Sequence, residues 1–138
     1  MGSVTVRHTA REMAFLTVYQ LDLNENPLDF ALDSVLEEAE LDEESTAFCK
    51  ALAQKTLEKQ SEIDALIQKH MENWTLKRMP SVDRNILRLA VCEMLYLPEI
   101  PDKVAINEAI ELAKTYSDEK APRFINSVLD KILKEKQA

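Results

Sequence analysis

The 138-residue chain has a single Gly, five Pro, two Cys, two His and one Trp. Each scarcity excludes something. One Gly rules out a glycine-rich phosphate loop and, with so few turn residues, argues against an all-β fold. Cys49 and Cys92 stand alone within helical patterns. Their spacing suits neither a disulfide framework nor a zinc site, so they read as small core residues in a reducing cytoplasm. His8 and His70 lie far apart, and HExxH, CxxC and DxDxDG motifs are lacking. No metal, cofactor or catalytic residue is therefore expected, and the chain reads as a binding protein, not an enzyme. No apolar run approaches the ~20 residues of a membrane span. The N-terminus has no apolar signal-peptide region, and Val6 breaks a myristoylation pattern. These features point to a cytoplasmic protein with no membrane contact.

Hydrophobic residues make up 46% of the chain, enough for a core. Their spacing is helical. Ala10, Ala14, Thr17, Val18 and Leu21 form one stripe of a first helix over 6–23, and Phe15, Leu16, Tyr19 and Leu23 form a second. A helix apolar on two sides is central to a bundle or faces a partner. Asn24 to Pro27 ends it. Leu28, Leu32, Val35, Leu36 and Ala39 trace a short second helix. Asp42 or Ser45 caps a third, carrying Phe48, Leu52, Ala53 and Leu57. Ser61 and Asp64 form a capping-box pattern ahead of Ile63, Leu66 and Ile67, with a kink as the alternative to a full break.

Trp74 to Ser81 reads as a connection, with Trp74 plugging the space between two halves. Residues 82–97 form a helix apolar nearly all round, with Glu93 inside its stripe. A buried carboxylate needs a partner, and Arg84, Arg88 or a residue of the first helix can supply it. Next come two stripes, Ile106, Ala109, Ile110, Ala113 and then Ile125, Val128, Leu129, Ile132, Leu133. Asp102 is a candidate N-cap of the first, and Pro122 suits the opening turn of the second. The short link Ser117–Lys120 makes them an antiparallel hairpin. The fold class is all-α, with about seven helices in one domain over 1–138 and subdomains near 1–60 and 61–138.

Net charge is −8, unevenly placed. Every charge from Asp22 to Glu44 is negative, and the rest of the chain is slightly positive. Arg7 and Arg11 carry the start. Lys120, Arg123, Lys131, Lys134 and Lys136 carry the end. Phe124 falls off the main stripe of the last helix, toward Lys120, Ser127 and Lys131, with Arg123 close by. An aromatic among cations suits single-stranded RNA. The alternative is that Phe124 packs under a neighbour and the lysines are merely solvated.

VAINEAIELAK (104–114) followed by RFINSVLD (123–130) resembles the C-terminal signature of the NusB family of transcription antitermination factors. WTLKRMPSVDRNILRLAVCEM (74–94) and RHTAREMAFLTVYQLDL (7–23) resemble two further blocks of that family, in the same order. The resemblance implies an N-terminal three-helix bundle packed on a C-terminal helical bundle. It also implies an adaptor that binds the boxA element of ribosomal RNA transcripts with NusE, a small-subunit ribosomal protein, within an antitermination complex on RNA polymerase. The family's Arg-rich RNA motif falls on Arg7, His8, Thr9 and Arg11. Two of these positions lack a fixed charge, so phosphate binding should be weaker. Tyr19 falls where the family has an aromatic at the NusE contact. That marks Phe15, Leu16, Tyr19 and Leu23 as a partner stripe, with Asp83 as a further candidate. Two alternatives remain, the first supported by the thinned Arg motif and the second by the NusB-like domains that ribosomal RNA methyltransferases carry. One is a protein-binding or homodimerising module with little RNA affinity. The other is the accessory RNA-binding domain of a ribosomal RNA methyltransferase, which requires a longer chain.

Overall fold

The computed structural model describes residues 4–138, with side chains from Arg7 onward. The Gly2–Val6 stretch, which bears on the myristoylation pattern, lies outside the described side chains. Seven α-helices follow in order: α1 (Val4–Leu23), α2 (Leu28–Leu36), α3 (Glu43–Glu58), α4 (Gln60–Lys69), α5 (Ser81–Tyr96), α6 (Asp102–Tyr116) and α7 (Ala121–Gln137). A single 3-10 turn, Leu76–Arg78, precedes α5.

α1 packs on α2 and α3 to form the N-terminal three-helix layer, and α4, α6 and α7 gather around α5. α1 and α3 also pack on α5, which joins the two groups. Every residue of α5 from Asn85 to Met94 is buried, as its all-round apolar pattern requires. One continuous core runs from Ala10 through Leu52, Ile67 and Leu89 to Ile132.

Local chemistry sets the boundaries. Asp42 caps α3, its Oδ1 accepting the Ser45 N–H at 2.7 Å. α3 and α4 meet at a kink: Lys59 N–H still bonds Lys55 O, and Ile63 N–H bonds Lys59 O, both at 2.9 Å. The Ser61 capping box does not form. α4 has no side-chain cap, because its N-cap position falls on Lys59 and Ser61 lies inside the helix, and Asp64 receives Arg88 at 2.7 and 2.9 Å. Asp102 is not a cap either. It lies in the first turn of α6 and pairs with Lys136 of α7 at 2.8 Å. Lys136 also donates to Met94 O. This contact joins the start of α6 to the end of α7 and closes the antiparallel hairpin.

Trp74 is not a plug but stands 59% exposed. Cys49 and Cys92 are buried, and burial pushes both thiols up to about 11, which makes them poor nucleophiles. Among the described residues, no helix is long and apolar enough to cross a membrane.

Candidate nucleic-acid interface

The N-terminal cations stand against acids. Arg11 is 3% exposed. Its Nε donates to Glu93 Oε1 at 2.7 Å, and its Nη1 lies 4.0 Å from Glu108 Oε1. Burial raises the Glu93 carboxyl above its ordinary value, and Arg11 opposes that shift. Arg11 is thus the first-helix partner that Glu93 needs. Its guanidinium is held in the core, which leaves little of it exposed to meet a phosphate. His8 is hydrogen-bonded through Nδ1 to Glu108. Arg7 is partly exposed, stacks 4.1 Å over the Phe48 ring and lies 3.7 Å from Glu44. Arg7 is therefore the open cation of this group, with His8 on its carboxylate beside it.

The C-terminal patch is different. Lys120, Arg123 and Lys131 are exposed, and none has a carboxylate partner among the described residues. Phe124 is half-buried and packs on the core with part of its ring accessible. This arrangement leaves both properties of the predicted RNA patch in place, free cations and an aromatic edge.

Along α6, the Lys120 end of the C-terminal patch stands apart from the N-terminal group. Glu108 of α6 marks the level of His8, and Ser117, just past the end of α6, leads to Lys120. Nine residues of helix separate those markers, about 14 Å of rise. α7 runs back along α6 with Lys136 on Asp102, which brings Lys131 near the level of Glu108.

The partner stripe divides as well. Phe15 is 1% exposed, sandwiched between Tyr19 and Tyr116 at ring-centroid distances of 5.8 and 5.1 Å. Phe15 is core, not contact surface. Leu16 and Tyr19 are partly exposed and Leu23 is exposed, which leaves an accessible stripe of three. Asp83 is 8% exposed and accepts a hydrogen bond from Ser117 Oγ at 2.5 Å. Burial raises its carboxyl, with the Ser117 bond opposing. Asp83 therefore ties α5 to the α6–α7 connection instead of facing outward.

A polar hub escaped the sequence reading. Asp22 Oδ2 accepts from Ser81 Oγ (2.7 Å), Arg84 Nη2 (2.5 Å) and Asn85 Nδ2 (3.0 Å), while Oδ1 faces Arg88 at 3.3 Å. Burial alone would raise this carboxyl, yet the Ser81, Arg84 and Asn85 donors hold it well below its ordinary value. The available signal was Arg84, Asn85 and Arg88 within a helix otherwise apolar all round. Such polar groups need a partner when buried.

Comparison with known proteins now decides the family. The model of the NusB family matches residues 8–134. The chain belongs to the NusB family. The transcription antitermination protein NusB of Syntrophomonas wolfei is 48% identical over 94% of this chain and 97% of its own. The NusB of Oceanobacillus iheyensis is 43% identical over 92% and 98%. A crystal structure of the antitermination factors NusB and NusE in complex with double-stranded RNA superposes with a TM-score of 0.89. It is 32% identical and covers 96% of this chain and 99% of the matched one. The all-α architecture is thus the NusB fold. Among the described residues no cluster of His, Cys, Asp or Glu could hold a metal.

Proposed function

We propose that this NusB-family chain is a non-catalytic RNA-binding adaptor in transcription antitermination. It binds boxA RNA together with NusE and docks into the antitermination complex on RNA polymerase. The observation that carries the reading is likeness across nearly the whole chain to a NusB seen with both NusE and RNA. The α7 patch supports a site for the RNA. Arg123, Lys120 and Lys131 would contact phosphates, Phe124 would meet a base, and Arg7 would add a contact from the start of α1. Leu16, Tyr19 and Leu23 would face NusE.

A second reading draws on the N-terminal motif. Arg11 is buried and His8 is on a carboxylate, so free RNA affinity is low and protein binding or homodimerisation dominates.

One experiment separates the two. Anisotropy of a labelled boxA RNA is titrated with the protein, with and without NusE, at two salt concentrations. The adaptor reading expects selective binding that strengthens with NusE. Arg123→Ala should lower the log–log salt slope by about 0.7, the value for one phosphate contact on a single strand. Phe124→Leu, which keeps the packing, should weaken binding severalfold while the fold is retained. No binding even with NusE would favour the second reading. Unchanged affinity in both variants would remove α7 from the site.

A further inference from the structure

The chain's only tryptophan is held out in solvent. Trp74 is 59% exposed, on the segment between α4 and α5. The loop beneath it is tightly stitched by one side chain. Gln68 Nε2 donates to the carbonyls of Trp74 at 2.7 Å and Met71 at 3.4 Å, and Gln68 Oε1 accepts the Leu76 N–H at 2.8 Å. Met71 and Leu76 are buried on either side. The indole is therefore presented from an ordered backbone, which lowers the entropy lost when something stacks on it.

The surroundings of the ring are polar. A shallow cleft of 410 Å³ is lined by Gln68, Glu72, Asn73, Trp74, Thr75 and Arg78. Lys77 and Arg78 are exposed, and their side chains have no carboxylate partner among the described residues. Glu72 is the one acid in the lining.

We propose that Trp74, with Lys77 and Arg78, is a stacking site for a base of single-stranded RNA. The proposal rests on the RNA-binding reading above and adds a second contact to it. An indole face takes any base, and adjacent cations meet the phosphates on either side. A protein hot spot built on Trp sits in a well-packed pocket from which water is excluded. Here the indole's neighbours are Asn73, Thr75 and Gln68, and the nearest apolar side chains point into the core. The position is also suitable. The 3-10 turn carrying Lys77 and Arg78 leads into the first turn of α5, where Asp83 holds Ser117 at 2.5 Å. Ser117 opens the connection to Lys120. The 3-10 turn and the α6–α7 connection thus meet the same end of α5, while Lys69 and His70, just before the Trp74 loop, reach Glu135 of α7.

The test uses the full chain, a single-stranded boxA RNA and two readouts. Anisotropy of labelled RNA reports overall binding. Tryptophan emission of the wild type, less that of Trp74→Phe, reports this one indole. The expected result is quenching of Trp74 with the same midpoint as the anisotropy. Trp74→Ala should weaken binding about tenfold, and Trp74→Phe should retain most of the affinity. K77A/R78A should reduce the salt slope by about 1.4, twice the value for one single-strand phosphate contact. A rise in anisotropy with no change in Trp74 emission, and with unaltered affinity for Trp74→Ala, overturns this site and leaves the RNA reading standing. No rise in anisotropy, with or without NusE, removes both. Emission that changes with NusE alone and not with RNA assigns the face to a protein and overturns the RNA site.

Discussion

At the scale of single residues, Arg11 shows how a family's basic motif can be put to structural use. Its guanidinium sits 3% exposed between Glu93 and Glu108, with Phe48 stacked on its other side at 5.4 Å. Removing it would leave Glu93 buried without a counter-charge. Such losses cost about 3–5 kcal/mol, because desolvation of the remaining charge is no longer offset. Arg11→Ala should therefore destabilise the fold by that order in urea unfolding. The double variant Arg11→Met/Glu93→Leu should recover most of the stability, since both charges leave together. If RNA affinity falls in Arg11→Ala, it should return in the double variant along with the fold. A permanent loss of affinity in a refolded double variant would restore Arg11 as a phosphate contact. The same carboxylate gives Glu93 a poor case as a catalytic acid, since its partner is a fixed cation and not a second proton-transfer group.

At the scale of elements, Asp22 joins three helices. It ends α1, receives Ser81, Arg84 and Asn85 from the first turns of α5, and reaches through Arg88 to Asp64 of α4. The sign of its pH effect follows from linkage. The folded carboxyl binds its proton more weakly than the unfolded one, whose ordinary value is 3.8. Stability from this group is therefore complete well above pH 3.8 and declines as the pH falls below it. Asp22→Asn should lower stability at neutral pH by about 1.5–3 kcal/mol, the range for hydrogen bonds to a charged group. It should also flatten the acid limb of the stability curve below pH 4. Equal acid limbs in the two proteins would show that the hub's donors do not favour the charged form. The hub also marks where sequence reading stops. Helix positions, the hairpin turn and the central burial of α5 are local, so periodicity and turn residues disclosed them. The kink at Lys59 was within reach for the same reason. Asp22–Arg84, Arg11–Glu93 and His8–Glu108 join residues 62, 82 and 100 positions apart. Nothing in the local pattern of a helix tells which acid meets its cations. Asp22 consequently read as one more acid in a negative block, Arg11 as a free cation and Phe15 as a surface aromatic. Trp74 misled in the opposite sense, since size and apolarity suggested burial where the Gln68-bound loop holds it outside. The α7 patch was legible because its cations and Phe124 share one helix.

At the scale of the whole molecule, charge is segregated. Glu25, Asp29, Asp33, Glu37, Glu38, Glu40, Asp42, Glu43 and Glu44 are all exposed, while Asp22 is drawn into the hub. The exposed acids cover α2 and the start of α3, and the unpaired cations of α7 and of the 3-10 turn lie elsewhere. A field of this kind acts on encounter more than on the final complex. If NusE is the partner and carries the basic surface of a ribosomal protein, it should be drawn in by this flank and held by the Leu16, Tyr19 and Leu23 stripe. The two contributions separate kinetically. Neutralising the flank with D29N/D33N/E37Q/E38Q should lower the association rate about tenfold at low salt and leave the dissociation rate nearly unchanged. The effect should fade as ionic strength rises and the Debye length shrinks to about 8 Å or less. Tyr19→Asp should do the reverse, raising the dissociation rate with little change in association, because it alters a short-range apolar contact. Stopped-flow or surface-binding kinetics at several salt concentrations would resolve both rates. Equal salt dependence in the flank variant and the parent would show that the acidic block only solubilises the protein. An unaltered dissociation rate in Tyr19→Asp would show that NusE does not dock on that stripe.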